Sequence, residues 1–209
     1  MIQLNLFATS KVMEIEKGLV HICKVDPAFK RVAELAGKID LPLPLEPYES
    51  LMDNVVSQQL SIKAAATIMA RVRLAHENEI TPSKTISLSD QLLRDAGLSR
   101  QKASYIKCIA QAFMAKPKFG EHLYSLDNEQ VISALTEIKG VGVWTAQMFL
   151  MFTLLREDVF PVGDLGIRKG MERFFFNGEK QDNSTLEKRA EIWSPFRSVA
   201  SVALWKAQV

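Results

Sequence analysis

Residues 135–164, LTEIKGVGVWTAQMFLMFTLLREDVFPVGD, combine residue types suited to one kind of chemistry. Gly140 and Gly142 flank Val141 in a short turn, where backbone N–H groups without side-chain cover can seat a phosphate oxygen. Lys139 adds positive charge at the tip, and a helix starting at Val143 points the positive end of its dipole the same way. Asp164 follows at the end of a Gly/Pro-containing loop. A carboxylate close to bound phosphates is repelled by them, so its presence there makes sense if it acts on what the phosphates carry.

Each feature also has a plainer reading. A GxG between two helices is most often a tight turn and nothing more. An aspartate just before a helix is most often an N-cap. Distance keeps the sharper reading of Asp164 open. A helix over 143–155 advances the chain by about 20 Å, and the loop over 156–163 can span roughly 26 Å, enough to bring the carboxylate back beside the hairpin. The side chain can cap its helix and face a cleft at once.

The elements that must hold these residues are read from apolar spacing, which is helical nearly everywhere. Helices are expected over Val12–Val25 and from Asp26-Pro27 to about Ala36, followed by a proline-punctuated linker at Leu41–Pro47. Tyr48–Gln58 and Ser61–Ala75 form two helices broken at Gln59-Leu60, with Ser61 as N-cap of the second. Ser89–Asp95, Ser99–Ala115 and Asp127–Glu137 follow, the last with Gln130 as a capping-box partner of Asp127. Val143–Leu155 is a long apolar helix, and Leu165–Phe176 stops at Asn177-Gly178. Leu186–Ala207 closes the chain, interrupted at Ser194-Pro195. The expected fold class is all-α.

Composition narrows the function classes. At 209 residues, with 47% hydrophobic and 24% charged residues, the chain reads as an ordinary globular protein with room for a substantial core. A net charge of +2 permits a nucleic-acid partner without demanding one. Two distant cysteines, Cys23 and Cys108, and scattered histidines, His21, His76 and His122, exclude a zinc site or a four-cysteine iron–sulfur cluster. Free thiols fit a reducing compartment, and no segment has the apolar length of a secretory signal or membrane span. The expectation is a soluble intracellular protein, in a bacterial cytoplasm or a eukaryotic nucleus.

IKGVGVWTAQMF (138–149) followed by VFPVGD (159–164) resembles the helix–hairpin–helix, Gly/Pro-rich loop and aspartate of the DNA glycosylase superfamily named for that motif. VVSQQLSIKAAATIMARV (55–72) and WSPFRSVASVALW (193–205) resemble its 3-methyladenine DNA glycosylase II branch. The similarity covers about Tyr48 to Trp205, with three motifs in order. It implies two helical subdomains with an interdomain cleft: residues 1–50 plus 157–209, carrying Asp164, and residues 51–156, carrying the hairpin.

The resemblance also implies roles. Asp164 matches the catalytic aspartate. Lys139, Gly140, Val141, Gly142, Val143 and Thr145 match the DNA-holding hairpin, where the carbonyls of Thr136, Ile138 and Val141 are the expected ligands of a monovalent cation, Na+ or K+. Gln59 falls where the branch plugs the gap left by an extruded base, with Leu60 as the neighbouring wedge and Ser61 beside them. A polar residue in a helix break and a core leucine are the plainer readings of that pair. Trp144 and Trp205 match the base pocket, where an aromatic face attracts a cationic purine. Met148 replaces a tyrosine and Val143 an arginine, which bears on lesion range and phosphate grip. Trp193 and Phe174-Phe175-Phe176 are expected to be packing, and Arg197 to pair inside the fold.

Trp144 also stands where lyase-competent relatives carry a Schiff-base lysine, so the resemblance implies a monofunctional enzyme. It would hydrolyse alkylated, cationic purines such as 3-methyladenine from double-stranded DNA, as a monomer without a cofactor, in base excision repair. Two alternatives stay open at this point. One is a non-catalytic DNA-binding scaffold using the hairpin alone. The other is a glycosylase for oxidised or mispaired bases, which needs a second acid; Glu137 and Asp158 are the nearest in sequence.

Overall fold

The computed structural model describes residues 13–208, and every regular element among them is helical. In chain order these are α1 (Ile15–Val25), a 3-10 turn at Pro27–Phe29, α2 (Lys30–Ala36), α3 (Pro47–Ser57), α4 (Ile62–Ala75), α5 (Pro82–Ser87) and α6 (Asp90–Asp95). α7 (Arg100–Ala115), α8 (Phe119–Ser125), α9 (Asn128–Thr136), α10 (Val143–Phe152) and α11 (Leu165–Phe175) follow. α12 (Asn183–Ala190), a 3-10 turn at Glu191–Trp193 and α13 (Arg197–Lys206) complete the chain. Among the described residues no helix is long and apolar enough to cross a membrane. Val12, expected to open the first helix, lies outside the described residues.

Local capping chemistry starts many of these helices. The side chains of Ser61, Ser89, Ser99 and Asp127 accept the backbone N–H groups of Ala64, Leu92, Lys102 and Gln130. Gln130 returns a side-chain acceptor to the Asp127 N–H, completing the capping box. Each such cap satisfies a donor that the first helical turn leaves orphaned. α5 and α8 are additions to the expected set.

The chain forms two compact units. One runs to Pro42 and resumes at Leu155, and the other is Leu43–Leu154. The expected boundaries at 50/51 and 156/157 are therefore corrected to 42/43 and 154/155. α3 packs on α4, α7 and α10, which assigns residues 47–50 to the second unit. At the other end α10 stops at Phe152, and Leu155 adopts a left-handed backbone (φ +52°) that turns the chain.

In the first unit α13 packs on α1, α2 and α11 around a core centred on the fully buried Trp193. Phe29 meets its ring edge-on at 5.0 Å between centroids, and Phe175 lies 5.3 Å away. The Trp193 Nε1–H donates to buried Asp26 at 2.8 Å, and Arg189 donates to the same carboxylate at 2.5 Å while covering the Phe175 ring. A buried carboxylate is tolerable because it is paired and hydrogen-bonded. Trp193 and Phe174–Phe176 are packing, as expected.

The second unit stacks α3, α5 and α6 on α7, with α9 against α10. Its buried polar centre is His76, which holds the Val72 carbonyl through Nδ1 at 2.7 Å and contacts the Thr85 hydroxyl through Nε2 at 2.8 Å. The Tyr48 hydroxyl donates to the same Thr85 oxygen at 2.6 Å. Burial pushes the Tyr48 phenol well above its ordinary range, so it stays a neutral donor.

Candidate active site

The loop that leads to Asp164 is fixed from below by the start of α13. Arg197 grips Asp158 with two parallel bonds, Nε to Oδ1 at 2.7 Å and Nη2 to Oδ2 at 2.9 Å. Burial works against the ionised Asp158, but the Arg197 bond and charge, with a bond from Ser194, outweigh it and hold its pKa below the usual range. The Ser198 hydroxyl donates to the Arg156 carbonyl at 2.6 Å and accepts from the Val159 N–H at 2.9 Å. Pro161 then receives the Asp164 N–H on its carbonyl at 2.8 Å, closing the turn that launches α11.

Asp164 is the N-cap of α11, half-buried, with Oδ1 accepting the Ile167 N–H at 2.9 Å. The same Oδ1 accepts the indole N–H of Trp205 at 2.7 Å. Two donors on one oxygen, at the positive end of α11, hold the carboxylate in one orientation. Trp205 reaches it because residue 166 is glycine. A Cβ there would lie 2.7 Å from Trp205 Cδ1 and 3.1 Å from Asp164 Oδ1. Gln208 pins the same corner by donating to the Gly166 carbonyl at 2.9 Å and the Leu204 carbonyl at 2.8 Å. Sequence reasoning placed Asp164 and Trp205 separately; it did not find their bond or the part of Gly166 in it.

In the second unit the hairpin between α9 and α10 divides its labour between its glycines. Gly140 has φ +96°, and a Cβ there would sit 2.2 Å from the Tyr105 ring. Its missing side chain thus makes room for Tyr105, a correction to the expectation that both glycines serve ligand approach. Gly142 is exposed, and a Cβ there would meet nothing within 4 Å. It stands as N-cap of α10 without a capping side chain, so the first-turn N–H groups of α10 begin from a bare residue. Lys139 and Val143 are exposed beside it, Val143 at 54%.

One expected DNA contact, Thr145, is corrected, whereas Val141 is the buried anchor of the hairpin. Thr145 is 1% exposed, and its hydroxyl accepts the Gln58 side-chain amide at 2.9 Å, so it serves the fold. Val141 is buried and its N–H bonds the Ile138 carbonyl at 3.0 Å, which occupies that amide inside the hairpin. Gln59 and Leu60 are exposed on the turn between α3 and α4, Gln59 with a left-handed backbone (φ +57°). Ser61 caps α4 next to them. Trp144 is half-buried in the first turn of α10, and Met148 is buried one turn on. Glu137 is exposed with Lys116 3.6 Å away, and Asp158 is bound to Arg197, so neither is an uncommitted acid.

Comparison with known proteins agrees with this architecture. The family described as HhH-GPD superfamily base excision DNA repair protein matches residues 52–195. DNA-3-methyladenine glycosylase 1 of Schizosaccharomyces pombe is 35% identical over 93% of this chain and 88% of its own length. A solved 3-methyladenine DNA glycosylase of that yeast, in complex with abasic DNA, superposes with a TM-score of 0.83 at 34% identity, covering 91% of this chain and 95% of the other. A DNA-3-methyladenine glycosidase from Bacillus halodurans gives a TM-score of 0.79 at 37% identity over 91% and 88% of the two chains. The chain belongs to the HhH-GPD superfamily of base excision DNA repair proteins.

Proposed function

We propose that this protein is a monofunctional DNA glycosylase that flips alkylated, cationic purines such as 3-methyladenine out of double-stranded DNA and hydrolyses them from deoxyribose. The observation that carries the reading is the Asp164 carboxylate, held by the Trp205 and Ile167 N–H groups at the head of α11. The similarity to enzymes named for 3-methyladenine supports the substrate class.

Breaking the N-glycosidic bond passes through a sugar with oxocarbenium character. Asp164 stabilises that developing positive charge and orients the water that attacks C1′. The C1′–N bond breaks with its electron pair going to the base, and the water loses its proton as the C1′ hydroxyl forms. A base already cationic leaves neutral, so no general acid is required. The commitment of Asp158 to Arg197 supports this choice over a neutral oxidised base, which would call for one.

The exposed hairpin with Lys139, Gly142 and Val143 grips a backbone phosphate through amides, independently of sequence. Trp205, bonded to Asp164, offers an aromatic face to the cationic base, and the family resemblance assigns base contacts to Trp144 and Met148 as well. The Gln59-Leu60 turn fills the gap in the stack. A monovalent cation fits the hard oxygen set of the Thr136, Ile138 and Val141 carbonyls. The Ile138 carbonyl, which accepts the Val141 N–H, keeps a second lone pair for it. One such site per chain suits a monomer.

The test is Asp164→Asn on methylated duplex DNA. Base release should fall about 10²-fold or more, the scale of one lost preorganised electrostatic contact, while binding to abasic DNA persists. Release of 3-methyladenine by that variant at the wild-type rate would remove the mechanism.

A further inference from the structure

The turn carrying Gln59 and Leu60 is held by two side chains that the functional reading does not use. Lys102, on α7, sends its Nζ to the carbonyls of Val56 and Gln58, both at 2.6 Å. Gln58 sends its side-chain amide to the Gly140 carbonyl at 3.2 Å and to the Thr145 hydroxyl at 2.9 Å. The backbone closes the remainder: the Gln58 N–H bonds the Val55 carbonyl and the Leu60 N–H the Ser57 carbonyl. Every carbonyl from Val55 to Gln58 therefore has a named donor. Between these anchors Gln59 adopts φ +57°, a region that residues with a Cβ enter only when their surroundings over-determine it.

We propose that Lys102 and Gln58 are positioning residues that lock the Gln59-Leu60 turn to the hairpin, so that the element filling the vacated base space is preformed. A lysine bonded to two carbonyls at a helix C-terminus complements the negative end of the dipole, and its four-carbon stem lets one ammonium bridge both. Burial lowers the Lys102 pKa, so the contact carries a desolvation cost that an exposed lysine would avoid. Gln58 joins the same turn to the segment that grips phosphate. Tracking the backbone and plugging the stack then depend on one rigid piece of the second unit, with no reordering needed when a base leaves.

This inference rests on the proposed glycosylase activity and on the plug role of the turn. It is tested with an oligonucleotide carrying one 7-methylguanine, either paired with cytosine in a duplex or unpaired as a single-nucleotide bulge. Flipping from the duplex leaves a gap opposite cytosine for the turn to fill, whereas the bulged base has no partner to replace. In single-turnover assays Lys102→Met should lower the duplex rate about tenfold and the bulge rate less than about twofold, the scale of losing one well-placed wedge. Lys102→Arg, whose fork reaches both carbonyls, should restore most of the duplex rate. Gln58→Met severs the other tether with Lys102 intact, and it should give the same selective loss even if Lys102→Met does not fold. Equal losses on both substrates, or an undiminished duplex rate, would overturn the positioning role. A wild-type protein that releases neither 7-methylguanine here nor 3-methyladenine from methylated duplex DNA would instead overturn the glycosylase reading.

Discussion

The indole N–H of Trp205 lies 2.7 Å from Oδ1 of Asp164, on the oxygen that also receives the Ile167 N–H. A residue expected to act through its aromatic face is thus bonded to the carboxylate through its edge. Trp205→Phe keeps a ring and removes the donor. Hydrogen bonds to charged groups contribute about 1.5–3 kcal/mol, so base release should fall about 10- to 100-fold, with abasic-DNA binding kept. A pocket-only role for Trp205 predicts little change with a lesion that tolerates phenylalanine stacking. Comparing release rates of 3-methyladenine by the two proteins separates the cases.

Gly166 is the steric condition of that bond. A methyl group at 166 would approach the indole to 2.7 Å, closer than real Cβ contacts come, and the rigid ring has to move. Gly166→Ala should reproduce the loss of Trp205→Phe by displacing the ring rather than by removing its donor. Combining the two substitutions should cost little more than either alone, because both remove one interaction. Additive losses in the double variant would show that Gly166 acts by another route.

The helices were legible because their starts are written locally. Ser61, Ser89, Ser99 and Asp127 each signal a cap to be read within four residues, and each is in place. α5 is absent from the expected set although its start is equally local, the Thr81 hydroxyl accepting the Lys84 N–H with Pro82 at the first helical position, whereas α8 starts from Lys118 with no capping side chain. α5 is fixed by Thr85 meeting Tyr48 and His76, far along the chain. Asp164 was legible as a cap and as a family motif, yet its bond to Trp205 spans 41 residues. Lys102 looked like one more lysine on a helix, since its partners are main-chain carbonyls that no sequence pattern marks.

Gly140 and Gly142 look equivalent in sequence and should differ in response. Gly140→Ala combines a left-handed φ with a clash against Tyr105, so the hairpin must shift and take the Gln58 bond with it. Such strain costs on the order of 1–3 kcal/mol, and thermal denaturation should show it as a lowered melting temperature. Gly142→Ala meets open space, so the melting temperature should hold while affinity for abasic DNA falls as a side chain covers the amides. The reverse pattern would refute the division of labour between them.

Acid should loosen the second unit through His76. Burial of the imidazole, its largest influence, depresses its pKa below the ordinary 6.5, although the Val72 carbonyl pulls the other way. With Nδ1–H donating to Val72, the neutral ring meets at Nε2 the Thr85 hydroxyl, which also donates to the Thr81 carbonyl at 3.1 Å; protonation would place a charge in the core. The unfolded chain therefore binds a proton near pH 6.5 that the folded chain refuses until lower pH. Stability from this group is complete above pH 6.5 and declines as pH falls from there through the folded-state pKa. Urea midpoints measured between pH 7.5 and 5 should fall with acidification, and His76→Gln, which has no proton to take up, should flatten that slope even if less stable at pH 7.5. An unchanged slope in the variant would assign the acid sensitivity to other groups.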